Sequence, residues 1–138
     1  MTFASGNRAW LEPYILGIAQ RMGLTHWRIK LDDDMPDDGC SASVHIQGES
    51  RRAVVLIGDP DDAEDLRDSV VHELMHIHLH EMEAALLQTE QHFNPAAWDI
   101  VRRNHHNQLE QAICAITLAW AALLPLPDMP EVKAKEAA

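Results

Sequence analysis

An α+β fold is what this sequence predicts: an N-terminal helix, a three-stranded and mainly antiparallel sheet, a histidine-rich helix and a long C-terminal helix. Three observations carry the prediction. Apolar residues recur at three- and four-residue steps in the segments 7–22, 62–88 and 95–124, the period of a helix with one buried face. Between the first two segments, three short runs alternate apolar and polar residues, the period of a half-buried strand. Clusters rich in Gly, Pro and Asp separate the runs and read as turns.

The first helix, Asn7 to Met22, takes Asn7 or Ser5 as its cap, ends near Gly23, and turns Trp10, Tyr14, Ile15, Ile18 and Met22 toward the core. Pro13 falls in its second turn and is expected to shorten or kink it. Thr25 to Leu31 alternates Trp27, Ile29 and Leu31 with His26, Arg28 and Lys30, which makes the first strand. An acidic loop, Asp32 to Gly39, follows; its carboxylates lack the spacing and the closing Glu of a calcium loop. Ser41 to Gln47 is the second strand, with Ala42, Val44 and Ile46 on one side. After the turn Gly48-Glu49-Ser50, the run Ala53-Val54-Val55-Leu56-Ile57 makes Arg52 to Ile57 the strongest strand. Strands this close in sequence are expected to pair as hairpins.

Asp59-Pro60-Asp61 turns the chain into the next helix, about Asp62 to Gln88. Asp61, Asp62, Glu64 and Asp65 load its start with acid, which the positive end of a helix dipole favours. Val70, Val71, Leu74, Ile77 and Met82 supply the apolar face that packs across the sheet. Beyond a loop at Gln91 to Pro95, the last helix runs from Pro95 or Ala96 to Leu124, with a break or bend near Asn104 to Asn107. Its second half, Ile113, Ile116, Leu118, Trp120 and Leu123, is apolar nearly all round and is expected to be buried. Pro125, Pro127 and Pro130 end it. One domain over 1–126 and a flexible tail over 127–138 is the organisation expected from this length and composition.

The formal net charge of -11 argues against direct binding to a nucleic-acid backbone. No apolar run approaches the length of a membrane span, and Met1 to Gly6 lacks the core of a signal peptide, so a cytoplasmic protein without membrane contact is expected. The composition leaves the oligomeric state open. Cys40 sits in a polar loop and Cys114 in an apolar helical run. Neither has a CxxC partner, and both are expected to be reduced bystanders, although either is chemically able to meet a metal.

The chemistry concentrates in Val71-His72-Glu73-Leu74-Met75-His76. A helix turns about 100° per residue, so His72 and His76 share a face about 6 Å apart along the axis and can point imidazole nitrogens at one metal ion. Glu73, beside the first of them, can reach a metal-bound water without ligating the metal. This pattern points to zinc, one per chain, with Glu73 as general base. The blander alternative is an amphipathic helix with histidines on its wet side.

A catalytic zinc site carries three protein ligands and leaves a position for water, so a third must come from elsewhere. Glu110 is the first choice. It lies one turn after His106 and immediately before an apolar stretch, where a carboxylate needs a partner. His92, His105, His106 and Asp99 compete. His92 is the alternative third ligand, reaching back from a loop. His105 or His106 is a ligand, a neighbour of the ligands or a donor to the transition state. His78 points about 160° from His76, toward the core or a carboxylate; His80 lies near the edge of the site.

Together with Glu110-Gln111-Ala112, an alanine-rich helix and Leu123-Leu124-Pro125, the motif resembles the compact gluzincin-type metallopeptidases. More narrowly it is similar to the ImmA/IrrE family of bacteria, phages and mobile elements, over about half the chain, from Ala53 to Pro125. The resemblance implies a small zincin-like domain, His72, His76 and Glu110 as zinc ligands and Glu73 as base. The family's Glu-Ala-Asn pairing is absent after Glu110, and so are its helix-turn-helix extensions, so no regulatory role carries over. The SprT-like peptidases share the HExxH motif with a histidine as third ligand, which His92-Phe93 would supply.

The expected activity is hydrolysis of peptide bonds in a protein or peptide substrate. Zinc activates a water and polarises the carbonyl, Glu73 takes the water proton and returns it to the leaving amine, and His105 or His106 is the nearest donor to the oxyanion. Tyr14 lies far from the motif in sequence. Arg52 to Ile57, if it is the sheet edge beside the cleft, is placed to pair with an extended substrate. The alternative from another class is a zinc-bound, non-proteolytic module that binds a protein; the intact Glu73 speaks against it, because a structural site needs no base.

Overall fold

A computed structural model describes residues 8–36 and 40–129. Its elements are α1 (Leu11–Arg21), β1 (Arg28–Leu31), β2 (Ala42–Gln47), β3 (Arg52–Ile57), α2 (Ala63–Leu87) and α3 (Pro95–Trp120), with 3-10 turns at Glu90–His92 and Ala121–Leu123. The architecture is α+β, as the periodicities predict. No described helix is long and apolar enough to cross a membrane.

Helix α1 starts four residues later than the periodicity suggests, with Trp10 at its N-cap and no side-chain cap. The expected caps Asn7 and Ser5 lie outside the described residues. The later start resolves the question of Pro13. It falls in the first turn, where its missing N–H has no intrahelical partner to lose. The helix ends at Gly23, whose φ of 79° is open to glycine without a Cβ clash. There the Gly23 N–H donates to Gln20 and the Leu24 N–H to Ala19, which satisfies the last carbonyls.

The sheet has the order β1-β3-β2. β2 and β3 form the expected antiparallel hairpin, Ala42 opposite Ile57 and Gln47 opposite Arg52. β1 does not pair with its sequence neighbour β2; it runs parallel to β3, Arg28 opposite Arg52 and Leu31 opposite Val55. The sheet is therefore mixed rather than mainly antiparallel, and the apolar run of β3 is explained by its central place, where Ala53, Val55, Leu56 and Ile57 are all buried.

One face of the sheet carries α1 and α2, and α3 stacks on α2 rather than on the sheet. Leu11, Ile15 and Ile18 from α1, Val55 and Ile57 from β3, and Leu66, Val70, Val71, Leu74 and Ile77 from α2 form the core. α2 is capped by Asp62, whose carboxylate accepts from the Asp65 N–H at 2.8 Å, while Asp65 reaches back to the Asp61 N–H at 2.9 Å. Met82, expected on its buried face, is 56% exposed because α2 has outrun the sheet by then. Gly48, in the β2–β3 turn, admits the ring of His80: a Cβ there would lie 2.5 Å from its Nε2.

α3 begins at Asn94, whose side chain accepts from the Ala97 N–H at 2.8 Å, with Pro95 in its first turn. It runs unbroken through the segment 104–107, where a bend is expected from the sequence. Nor is its second half buried all round. Leu109, Ile113, Thr117 and Ala121, at four-residue steps, are buried. Leu118, Trp120 and Leu123 are 79%, 63% and 81% exposed. Helix α2 covers only one stripe, and no described element covers the other.

Pro127 is buried and Met129 packs against the core; residues 130–138 of the expected tail lie outside the described residues. Tyr14 anchors this segment by donating its hydroxyl to the Pro125 carbonyl at 2.8 Å. Burial pushes its phenol from 10.0 up to about 12, with Arg67 opposing and Asp68 assisting. Because the folded value is raised, the stability it lends is complete below pH 10 and is lost as the pH rises through 12. As the only tyrosine in the chain, it is expected to titrate near 12 by absorbance at 295 nm in the native protein and near 10 in denaturant. A native midpoint near 10 would mean that Pro125 does not cover it in solution.

Candidate metal centre and cleft

The helical spacing of the motif is realised in α2. Leu74 and Ile77 are driven into the core, which turns His72 and His76 outward with ring centroids 5.2 Å apart. α3 lies against this face, and Glu110, one position beyond the buried Leu109, meets both rings. Its Oε2 is 3.2 Å from His72 Nε2 and its Oε1 is 2.9 Å from His76 Nε2. One ligand atom from each of His72, His76 and Glu110 can be chosen with all three within 4.8 Å of one another.

The donor set suits a metal ion. Two ligand atoms each about 2.0–2.1 Å from a tetrahedral zinc stand roughly 3.3 Å apart, close to the two distances above. Two neutral imidazoles and one carboxylate are also the ligand types that zinc and neighbouring transition metals take. His76 is kept toward its neutral form, the ligating one: burial lowers its pKa first, Glu110 opposes, and His72 lowers it further.

Glu73 lines the same cleft and is only 8% exposed. Burial first, and the negative charge of Glu110 second, raise its pKa from 4.5 to about 7. A carboxyl poised near neutrality is suited to exchange a proton with a reacting group.

The cleft has a volume of about 900 Å³. One wall is β2, an edge strand of the sheet, with Ser43, Val44 and Ile46; another is α3, with His106, Thr117 and Leu118. The strand Arg52 to Ile57, considered above as a sheet edge, is instead the central one. Edge position cannot be read from the strength of a strand, since it depends on which neighbours pair.

The other candidate residues separate clearly. His106 lines the cleft. His105 does not; it is half-buried, with Nε2 enclosed and without a hydrogen-bond partner among the described residues. His92 is exposed in the 3-10 turn after α2, its Nε2 3.5 Å from the Gln91 amide, and is not among the cleft residues. Asp99 is held below the usual carboxylate range by Arg102 and then Arg103. His78, expected toward the core or a carboxylate, is exposed and pairs with the Met22 carbonyl at 2.6 Å, because the end of α1 reaches it first. His80 packs edge-on to Trp27.

Sequence reasoning did not single out Asp68, Ser69 and Glu83, which also line the cleft. The signal was present: they lie four and three residues before His72 and seven after His76, on the same helix face. Cys40 and Cys114 both line the cleft and are exposed. Cys114, four residues after Glu110, places Sγ 4.0 Å from His72 Nδ1, on the ring nitrogen turned away from Glu110. Compared with known protein families, curated proteins and solved structures, the chain matches none.

Proposed function

We propose that this protein is a zinc-dependent metallopeptidase of zincin-like type, with His72, His76 and Glu110 holding the metal and Glu73 acting as general base. The observation that carries the reading is the convergence of those three donors in one cleft with a buried carboxyl whose pKa lies near 7. A bound zinc supplies Lewis acidity at the scissile carbonyl and lowers the pKa of a coordinated water toward neutrality.

The chain's own groups supply the rest. Glu73 accepts the proton of the attacking water and passes it to the leaving amine. His106 donates to the developing oxyanion, a role supported by its exposed position on the α3 wall of the cleft. The outer edge of β2 offers backbone N–H and C=O groups to an extended peptide along the cleft, which supports a peptide substrate. The resemblance to ImmA/IrrE peptidases belongs to the same proposal. His92, lying apart from the donor group, favours Glu110 over the SprT-like ligand set.

A non-hydrolytic, zinc-bound module that binds another protein is the second reading. It is favoured by the exposed Leu118 in the cleft wall and by Trp120 and Leu123, exposed near the end of α3, since exposed apolar surface marks protein contacts. The two separate on one experiment. The zinc-loaded chain is incubated with unfolded protein and with a mixed peptide library, and cleavage is read by mass spectrometry with and without a chelator. Chelator-sensitive cleavage supports the peptidase; intact substrates with one zinc per chain support the module.

A further inference from the structure

The sheet face turned away from α1 and α2 carries a second, separate cavity of about 380 Å³. It is lined by Arg28 and Lys30 of β1, His45 and Gln47 of β2, and Arg52 and Val54 of β3. Among the described residues no Asp or Glu lines it, in a chain with 22 acidic residues against 11 Lys and Arg. The register explains the clustering. Arg28 is the direct partner of Arg52 on the neighbouring parallel strand, and Lys30 is two residues along on the same face. Adjacent strands lie about 4.8 Å apart, so the register sets the two exposed arginines side by side on one face. Among the described residues none of the three cations makes an ion pair; the ion pairs of those residues are elsewhere, at Asp68, Glu110 and Asp99.

Like charges directly opposite each other destabilise a sheet. Protection of an exposed edge by cations accounts for Arg28 and Lys30, since β1 is an edge strand. It does not account for Arg52, which is on the central strand. The arrangement suits a negative ligand: two arginines and a lysine line one cavity together with Gln47 and His45, which offer further polar partners.

We propose that this face binds a compact anion of the oligophosphate class, independently of the candidate metal centre. The cavity is of small-molecule size, and three neighbouring cations match a ligand with several charges close together. An extended nucleic acid would meet the repulsion of a chain whose net charge is -11, whereas a compact anion meets only the local cluster.

The test is equilibrium dialysis of the full chain against labelled pyrophosphate at low ionic strength, with folding followed by circular dichroism. One saturable site per chain is expected. Arg28→Gln and Arg52→Gln should each weaken it roughly tenfold or more, the worth of a hydrogen bond to a charged group. Arg21→Gln, on α1, should leave it unchanged. Glu110→Ala serves as the second control, because pyrophosphate held by a metal would be lost with it and pyrophosphate on the sheet face would not. Absence of saturable binding, binding that survives both arginine variants, or binding lost with Glu110→Ala would each overturn the proposal. So would equal affinity for citrate, or tighter binding of a single-stranded oligonucleotide through the same arginines.

Discussion

Glu73→Gln is expected to lower peptide hydrolysis by a factor on the order of 10²–10⁴, the usual worth of a positioned general base, while zinc content stays near one per chain. Glutamine keeps the size and the hydrogen-bonding oxygen of the side chain but cannot take up a proton. The position is demanding for another reason: Glu73 is only 8% exposed, and its carboxyl is raised to about 7 by burial and by Glu110. The measurement pairs kcat/KM on a cleaved peptide with zinc by elemental analysis. Loss of zinc in the variant would make Glu73 a ligand rather than the base, and unchanged hydrolysis would remove it from the chemistry altogether.

Glu110→Ala should have the largest effect on metal binding. Loss of a partner that only orients a ligand costs 10–100-fold in affinity, and removing a direct ligand is expected to exceed about 100-fold. The carboxylate spans both rings, 3.2 Å from His72 and 2.9 Å from His76, so its removal leaves two imidazoles and no anionic ligand. Its side chain is 34% exposed, so truncation should leave the fold intact, with an unchanged far-ultraviolet spectrum. His92→Ala, in an exposed turn, should leave zinc content as in the wild type. Competition with a chromogenic chelator measures both variants; zinc lost with His92 and kept with Glu110 would reverse the ligand assignment.

Local information fixes most of what this sequence encodes about α2. Asp62, Asp65 and the run from Leu66 to Ile77 give α2 its cap and its buried stripe through contacts three and four residues apart, so the outward pairing of His72 and His76 follows from spacing alone. The same periodicity makes Asp68, Ser69 and Glu83 neighbours of the site. The bend expected near Asn104 to Asn107 is absent: the polar side chains there do not interrupt backbone hydrogen bonding, and the helix continues.

By itself, the sequence determined the α+β class, the three strands, the helix that carries the motif and the residue types able to hold a metal. Tertiary structure alone decided the rest. β1 joins β3 in parallel rather than β2, because strand pairing is a long-range choice that alternation does not encode; this choice makes β2 the edge beside the cleft and sets Arg28 against Arg52. The packing of α3 on α2 brought Glu110, and not His92 or Asp99, against His72 and His76. It also left Leu118, Trp120 and Leu123 exposed, since apolar composition gives a helix a tendency to be covered but cannot provide the surface that covers it.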